Sequence, residues 1–146
     1  MYAITHRVGI NASAEAIYKA LTTNEGLMTW WTNDVIGAGD IGSLIKFRFN
    51  GGGPDFKVIE LRTNNLVRWQ HSGDMPQAWT NTEVCFEIQP HTEQTFVNFS
   101  HTNWQESSEF MAHCCTKWGV FLLSLKDALE IGKGRAFPND IHIDHS

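Results

Sequence analysis

Residues 110–131, FMAHCCTKWGVFLLSLKDALEI, constrain this chain more than any other stretch. They contain no proline, and Met111, Cys114, Cys115, Trp118, Leu122, Leu125 and Leu129 recur at steps of three and four. That spacing lays them along one face of a helix and leaves Lys117, Ser124 and Asp127 on the other. At about 1.5 Å per residue the helix reaches roughly 33 Å, enough to cross a small domain. Each large apolar side chain removed from water contributes about 1.5–3 kcal/mol, so this face requires a broad apolar partner. Gly132 and Gly134 end the helix, with Lys133 and Arg135 beside its negative end.

The partner is written upstream as strands. Residues 2–10 alternate, with Ile4, His6, Val8 and Ile10 on one side. Ser13 is a helix N-cap for residues 14–21, and Thr22 to Glu25 has the form of a capping box for a second short helix ending at Trp30. Residues 33–42 read as a glycine-bearing loop. Strands follow over 44–49, 56–61, 66–71, 80–89 and 94–101, separated by turn signals at Gly51-Gly-Gly-Pro54, Asn64-Asn65, Pro76 and Pro90. The facing of 56–61 is ambiguous: either Phe56, Val58 and Glu60 point inward, or Lys57, Ile59 and Leu61 do. Short connections imply antiparallel neighbours. The fold class is α+β, a curved antiparallel sheet of about six strands gripping one long C-terminal helix, with two short helices after the first strand. Residues 1–135 form one domain, and 136–146 a polar tail without periodicity, expected to be loosely held.

Six tryptophans and nine phenylalanines are many for 146 residues, and they serve either as core filler or as the walls of an apolar site. A net charge of −5 without a basic cluster argues against nucleic acid. No apolar run is long enough for a membrane span, and the first residues do not read as a secretion signal. Three cysteines, two of them adjacent, make no disulfide framework, which points to a reducing cytoplasm.

Several segments carry a resemblance. Residues 11–18 (NASAEAIY), the Leu27-Met-Thr-Trp-Trp31 helix end, the strand pair 56–61 and 66–69, and KWGVFLLSLK at 117–126 are similar to the START-like, or SRPBCC, helix-grip superfamily. The chain most resembles the branch named for the activator of heat-shock-chaperone ATPase, over about residues 2–135. The resemblance implies a deep apolar cavity between helix and sheet, used for lipids, polyketides or other small hydrophobic molecules. It also implies two alternatives: a cyclase- or hydrolase-type enzyme, and a chaperone-activating or stress-response interaction module, with a homodimer among the possible assemblies.

If the apolar strand faces point inward, His6, His71 and His101 go with them. Phe47, Phe49, Glu60, Trp69, His71, Phe86, Phe99, His101, Trp104, Met111, Cys114 and Trp118 are then the expected lining. Trp69 and Trp104 lead the lining tryptophans, ahead of Trp30, Trp31 and Trp79; Trp118 is foremost a core residue. An inward histidine near neutral pH suits general acid–base work, and equally suits a hydrogen bond at a strand end. An inward Glu60 would need a partner. No cofactor or metal is expected: His142-Ile-Asp-His145 lacks a wider ligand set, and Cys114-Cys115 lacks the C-x-x-C spacing.

Overall fold

The computed structural model describes residues 1–143. Strand β1 (Tyr2–Ile10) leads into helices α1 (Ala14–Thr22) and α2 (Asn24–Trp30). Six strands follow: β2 (Asp34–Ile36), β3 (Leu44–Arg48), β4 (Asp55–Arg62), β5 (Leu66–Ser72), β6 (Glu83–Pro90) and β7 (Thr95–Trp104). Helix α3 (Glu109–Glu130) closes the set. The strands form one antiparallel sheet in the order β1-β7-β6-β5-β4-β3-β2. The architecture is the expected grip, with one more strand: the three residues of β2 lie in the segment read as loop and pair with Arg48, Phe47 and Lys46.

The local reasons are visible. The Ser13 hydroxyl accepts from Ala16 N at 3.1 Å and starts α1. The second cap falls one residue later than the Thr22–Glu25 box suggests. Thr23 caps α2 by accepting from Gly26 N, while the Thr22 hydroxyl donates back to the Tyr18 carbonyl. Ser108 caps α3 through Met111 N, and Gly132, with φ of +74°, follows its C-terminus.

Alternation holds where it was clearest. Thr82 just before β6, Val84, Phe86 and Ile88 within it, and Val97, Phe99 and His101 of β7 are buried. The ambiguity in β4 is settled by a bulge. Val58 pairs with Trp69 and Leu61 with Val67, both facing inward, so Ile59 and Glu60 together oppose the outward Arg68. A period-2 reading carried past Val58 therefore puts Glu60 on the wrong face.

Helix α3 lies inside the curl and also shields the outer edge of β1. Lys126 Nζ donates to the Gly9 carbonyl at 2.7 Å, and His6 Nε2 to the Cys115 carbonyl at 2.9 Å. Two expectations for this end of the chain fail together. Ser124, assigned to the polar face, is buried and accepts from Arg135 N at 2.7 Å. It is covered because the segment after the helix is not loosely held. Phe137 bridges Thr32 in parallel, its N–H donates to the Trp31 carbonyl, and Asp140 pairs with Lys117. Of the His142…His145 pair, His145 lies outside the described residues.

Candidate functional site

Most of the space between sheet and helix is filled by rings. Trp31 stands 4.3 Å from Phe47 and 4.9 Å from Trp118, centroid to centroid, and Phe99 stands 4.5 Å from Trp118. Phe86 meets Trp69 at 5.1 Å and Phe99 at 5.2 Å. Phe47, Trp69, Phe86 and Phe99 were expected to line a hollow; they are instead core, each no more than 2% exposed. Large flat side chains that reach one another at these separations leave no room between them for a further molecule.

What remains is a cleft of about 190 Å³ beside the N-terminal half of α3. The helix contributes Cys114, Trp118 and Phe121 to it, with Phe110, His113 and Lys117 towards the rim. Opposite stand Trp31, Phe49, Pro54 and Trp79. Phe49 and Pro54 are brought there by the β3–β4 turn. Gly53, with φ of +156°, lies so close to the Phe47 carbonyl that a Cβ would collide with it. Arg48 holds the same turn through the Phe47 carbonyl at 3.0 Å and the Asp55 carboxylate at 2.8 Å. Trp79 arrives on a short 3-10 turn, Gln77–Trp79.

Of the expected lining residues, Phe49, Cys114 and Trp118 border this cleft. Trp104 is buried but borders a separate polar groove with Gln77 and Gln105, and Met111 is half-buried against the core. Trp31 and Trp79, ranked behind Trp69 and Trp104, line it together with Trp118. Phe121 is an omission whose signal lies three residues beyond Trp118 on the same helical stripe.

The titratable candidates take three different positions. His101 is fully buried, with both ring nitrogens engaged. Trp118 Nε1 donates to its Nδ1 at 3.1 Å, which makes Nδ1 the acceptor and puts the ring proton on Nε2. That Nε2–H donates to the Thr82 hydroxyl at 2.9 Å, and the hydroxyl donates to the Trp79 carbonyl at 2.6 Å. Burial, aided by His71, lowers the His101 pKa to about 3. His101 thus orders Trp118 and Trp79 and stays a neutral ring near neutral pH. His71 donates from Nε2 to the Met75 carbonyl at 2.9 Å and packs edge-on to Phe56 and Trp79, away from the cleft wall.

Glu60 is excluded from the cleft by the β4 bulge. It lies on the outer face, bonded to Arg68 at 3.1 Å and to Arg62 at 2.8 Å. The hydrogen bond from Arg68 and the pairing with Arg62 hold its carboxyl below the usual range. The Cys114 thiol is pushed up to about 12 by burial, so it stays protonated; the neighbouring Trp79 N–H works the other way. The cleft is therefore an apolar slot with a buried thiol on its wall and His113 and Lys117 towards its rim. Its cation, Lys117, is paired with Asp140. Among the described residues, no three His, Cys, Asp or Glu side chains gather as a metal site.

The chain's relatives agree with this architecture. It is 64% identical to the Aha1 protein of Colwellia psychrerythraea, whose structure is described as a dimer in solution. That match covers 92% of this chain and 100% of the other, with a TM-score of 0.86. A Staphylococcus saprophyticus protein superposes with a TM-score of 0.77 at 16% identity, covering 92% of this chain and 97% of its own. A Bacillus halodurans protein does so with a TM-score of 0.74 at 18% identity, covering 89% and 98%. These two share the fold. No curated protein matches. The model of the family described as Activator of Hsp90 ATPase homolog 1-like protein matches residues 11–130, and the chain belongs to that family, with its START-like helix-grip fold.

Proposed function

We propose that this chain is a START-like binding domain for a small hydrophobic molecule, held in the cleft between α3 and the sheet. The observation that carries the reading is the cleft itself, an aromatic slot of about 190 Å³ beside the N-terminal half of α3. Its size sets the class of ligand. A dry cavity of about 150 Å³ takes a benzene-sized molecule, whereas drug-sized ligands occupy about 300–1,000 Å³. The expected molecule is one ring with a short substituent, not a polyketide or a long acyl chain.

Titration of the 15N-labelled protein with toluene tests this. The expected result is saturable shifts confined to the amides around Cys114, Trp118 and Phe121 and the indoles of Trp31 and Trp79, with no such response to palmitate. In Cys114→Phe, whose added ring occupies the slot, the toluene response disappears while the fold is kept. Shifts that never saturate, or survive in the filled variant, would end the proposal.

Self-association is a second reading, favoured by the 64% identical relative described as a dimer. Sedimentation equilibrium should then give twice the chain mass of 16.5 kDa; a single-chain mass at high micromolar concentration would exclude it.

A further inference from the structure

The cleft wall holds one indole N–H that no nitrogen or oxygen of the described residues accepts. Trp79 is 8% exposed, and its Nε1–H is buried without a hydrogen-bond partner among the described residues. Leaving such a group unpaired costs about 1–3 kcal/mol, so an orphaned buried donor calls for an explanation. Neighbouring indoles show that this fold supplies partners elsewhere. Trp30 Nε1 donates to the Ala20 carbonyl at 3.0 Å, and Trp118 Nε1 to His101. The Trp104 N–H is also unpaired, but Trp104 does not border the cleft. Trp79 does, and its N–H lies on the side of the Cys114 thiol, a second lining group. The thiol remains protonated, so the same patch of wall offers an N–H and a weak S–H donor and no strong acceptor.

We infer that Trp79 Nε1–H, with Cys114 beside it, is a recognition point for a neutral hydrogen-bond acceptor on a single-ring ligand, the carbonyl oxygen of an aromatic aldehyde or ketone. The inference rests on the reading of the cleft as a ligand site and adds the ligand's polar end to it. A neutral acceptor fits better than an anion. The walls around the donor are apolar, where a charge is costly to bury, and Lys117 is already matched by Asp140. The N–H fixes orientation, while the rings supply most of the contact.

Two probes of one shape separate the polar contribution from the apolar one: acetophenone, and α-methylstyrene, which carries CH2 in place of the carbonyl oxygen. With the 15N-labelled full chain, acetophenone is expected to bind about fivefold tighter, the scale of one neutral hydrogen bond. The Trp79 indole proton should move downfield with acetophenone alone. In Trp79→Phe the preference should vanish while α-methylstyrene still binds. Equal binding of both probes, with no downfield shift in the native chain, would overturn the inference and leave the cleft reading standing. Binding of neither probe would remove both. The indole shift is read in the native protein, so an unstable Trp79→Phe variant would not block the test.

Discussion

The two halves of α3 bury the same apolar stripe in different ways. Towards its C-terminus, Leu122 and Leu125 are fully buried, while Ala128 and Leu129 border a surface groove with Ala16, Ala20 and Gly26 of the two short helices. The two leucines are closed off from solvent beneath that groove. Towards its N-terminus, Cys114, Trp118 and Phe121 face Trp31, Phe49 and Trp79. Rigid rings at tilted angles, such as Trp31 and Phe121 at 61°, meet along edges and leave a wedge of space. Periodicity decides which residues go inside; the shapes of those residues decide whether the inside is solid.

The contrast can be broken most directly by truncation. Leu125→Ala in the closed half should cost about 2–5 kcal/mol in urea denaturation, because the surroundings cannot collapse into the void. A loss under about 1 kcal/mol would mean that the closed half is as loose as the open one.

A smaller effect is expected from acid, through His101. Its pKa is about 3 in the fold and about 6.5 in an unfolded chain, so between those values only the unfolded chain takes up the proton. The stability held by the neutral ring is complete above about pH 6.5 and declines as pH falls towards 3, by about 1.4 kcal/mol per unit at most. His101→Gln should be less stable at pH 7 yet show a shallower decline than the native chain from pH 6 to 5. Parallel profiles would mean that another group carries the acid sensitivity.

The smallest effect belongs to Cys114→Ala in the open half, expected to cost less than about 1 kcal/mol because the site already borders space. A cost equal to that of Leu125→Ala would erase the distinction between the halves.

The sequence discloses the grip because amphipathic spacing in α3 and alternation in β6 and β7 are local signals that burial then obeys. Ser13 discloses α1 for the same reason, since a cap acts within one turn. What stays hidden is set by contacts distant in the chain. Three residues of β2 are too few for a period to appear. The β4 bulge reverses the facing of Glu60 through a pairing choice made against Arg68, and no residue within 56–61 announces it. Ser124 looks like a surface serine until the segment from Arg135 to Asp140 folds over it. Position within an element does not rank the tryptophans: Trp69 is mid-strand in β5, Trp104 ends β7, and Trp31 and Trp79 end short helical turns. Which of them borders open space depends on ring-to-ring packing across the sheet.

Trp31 joins three parts of the molecule at once. Its ring meets Phe47, Trp69, Trp118 and Phe121, it borders the cleft, and its carbonyl receives the N–H of Phe137. It works as a keystone in a vault: floor and doorway lean on its indole, and the C-terminal strap on its backbone carbonyl. Changes made separately to those parts would therefore fail to sum, because each alters the seat of the same ring.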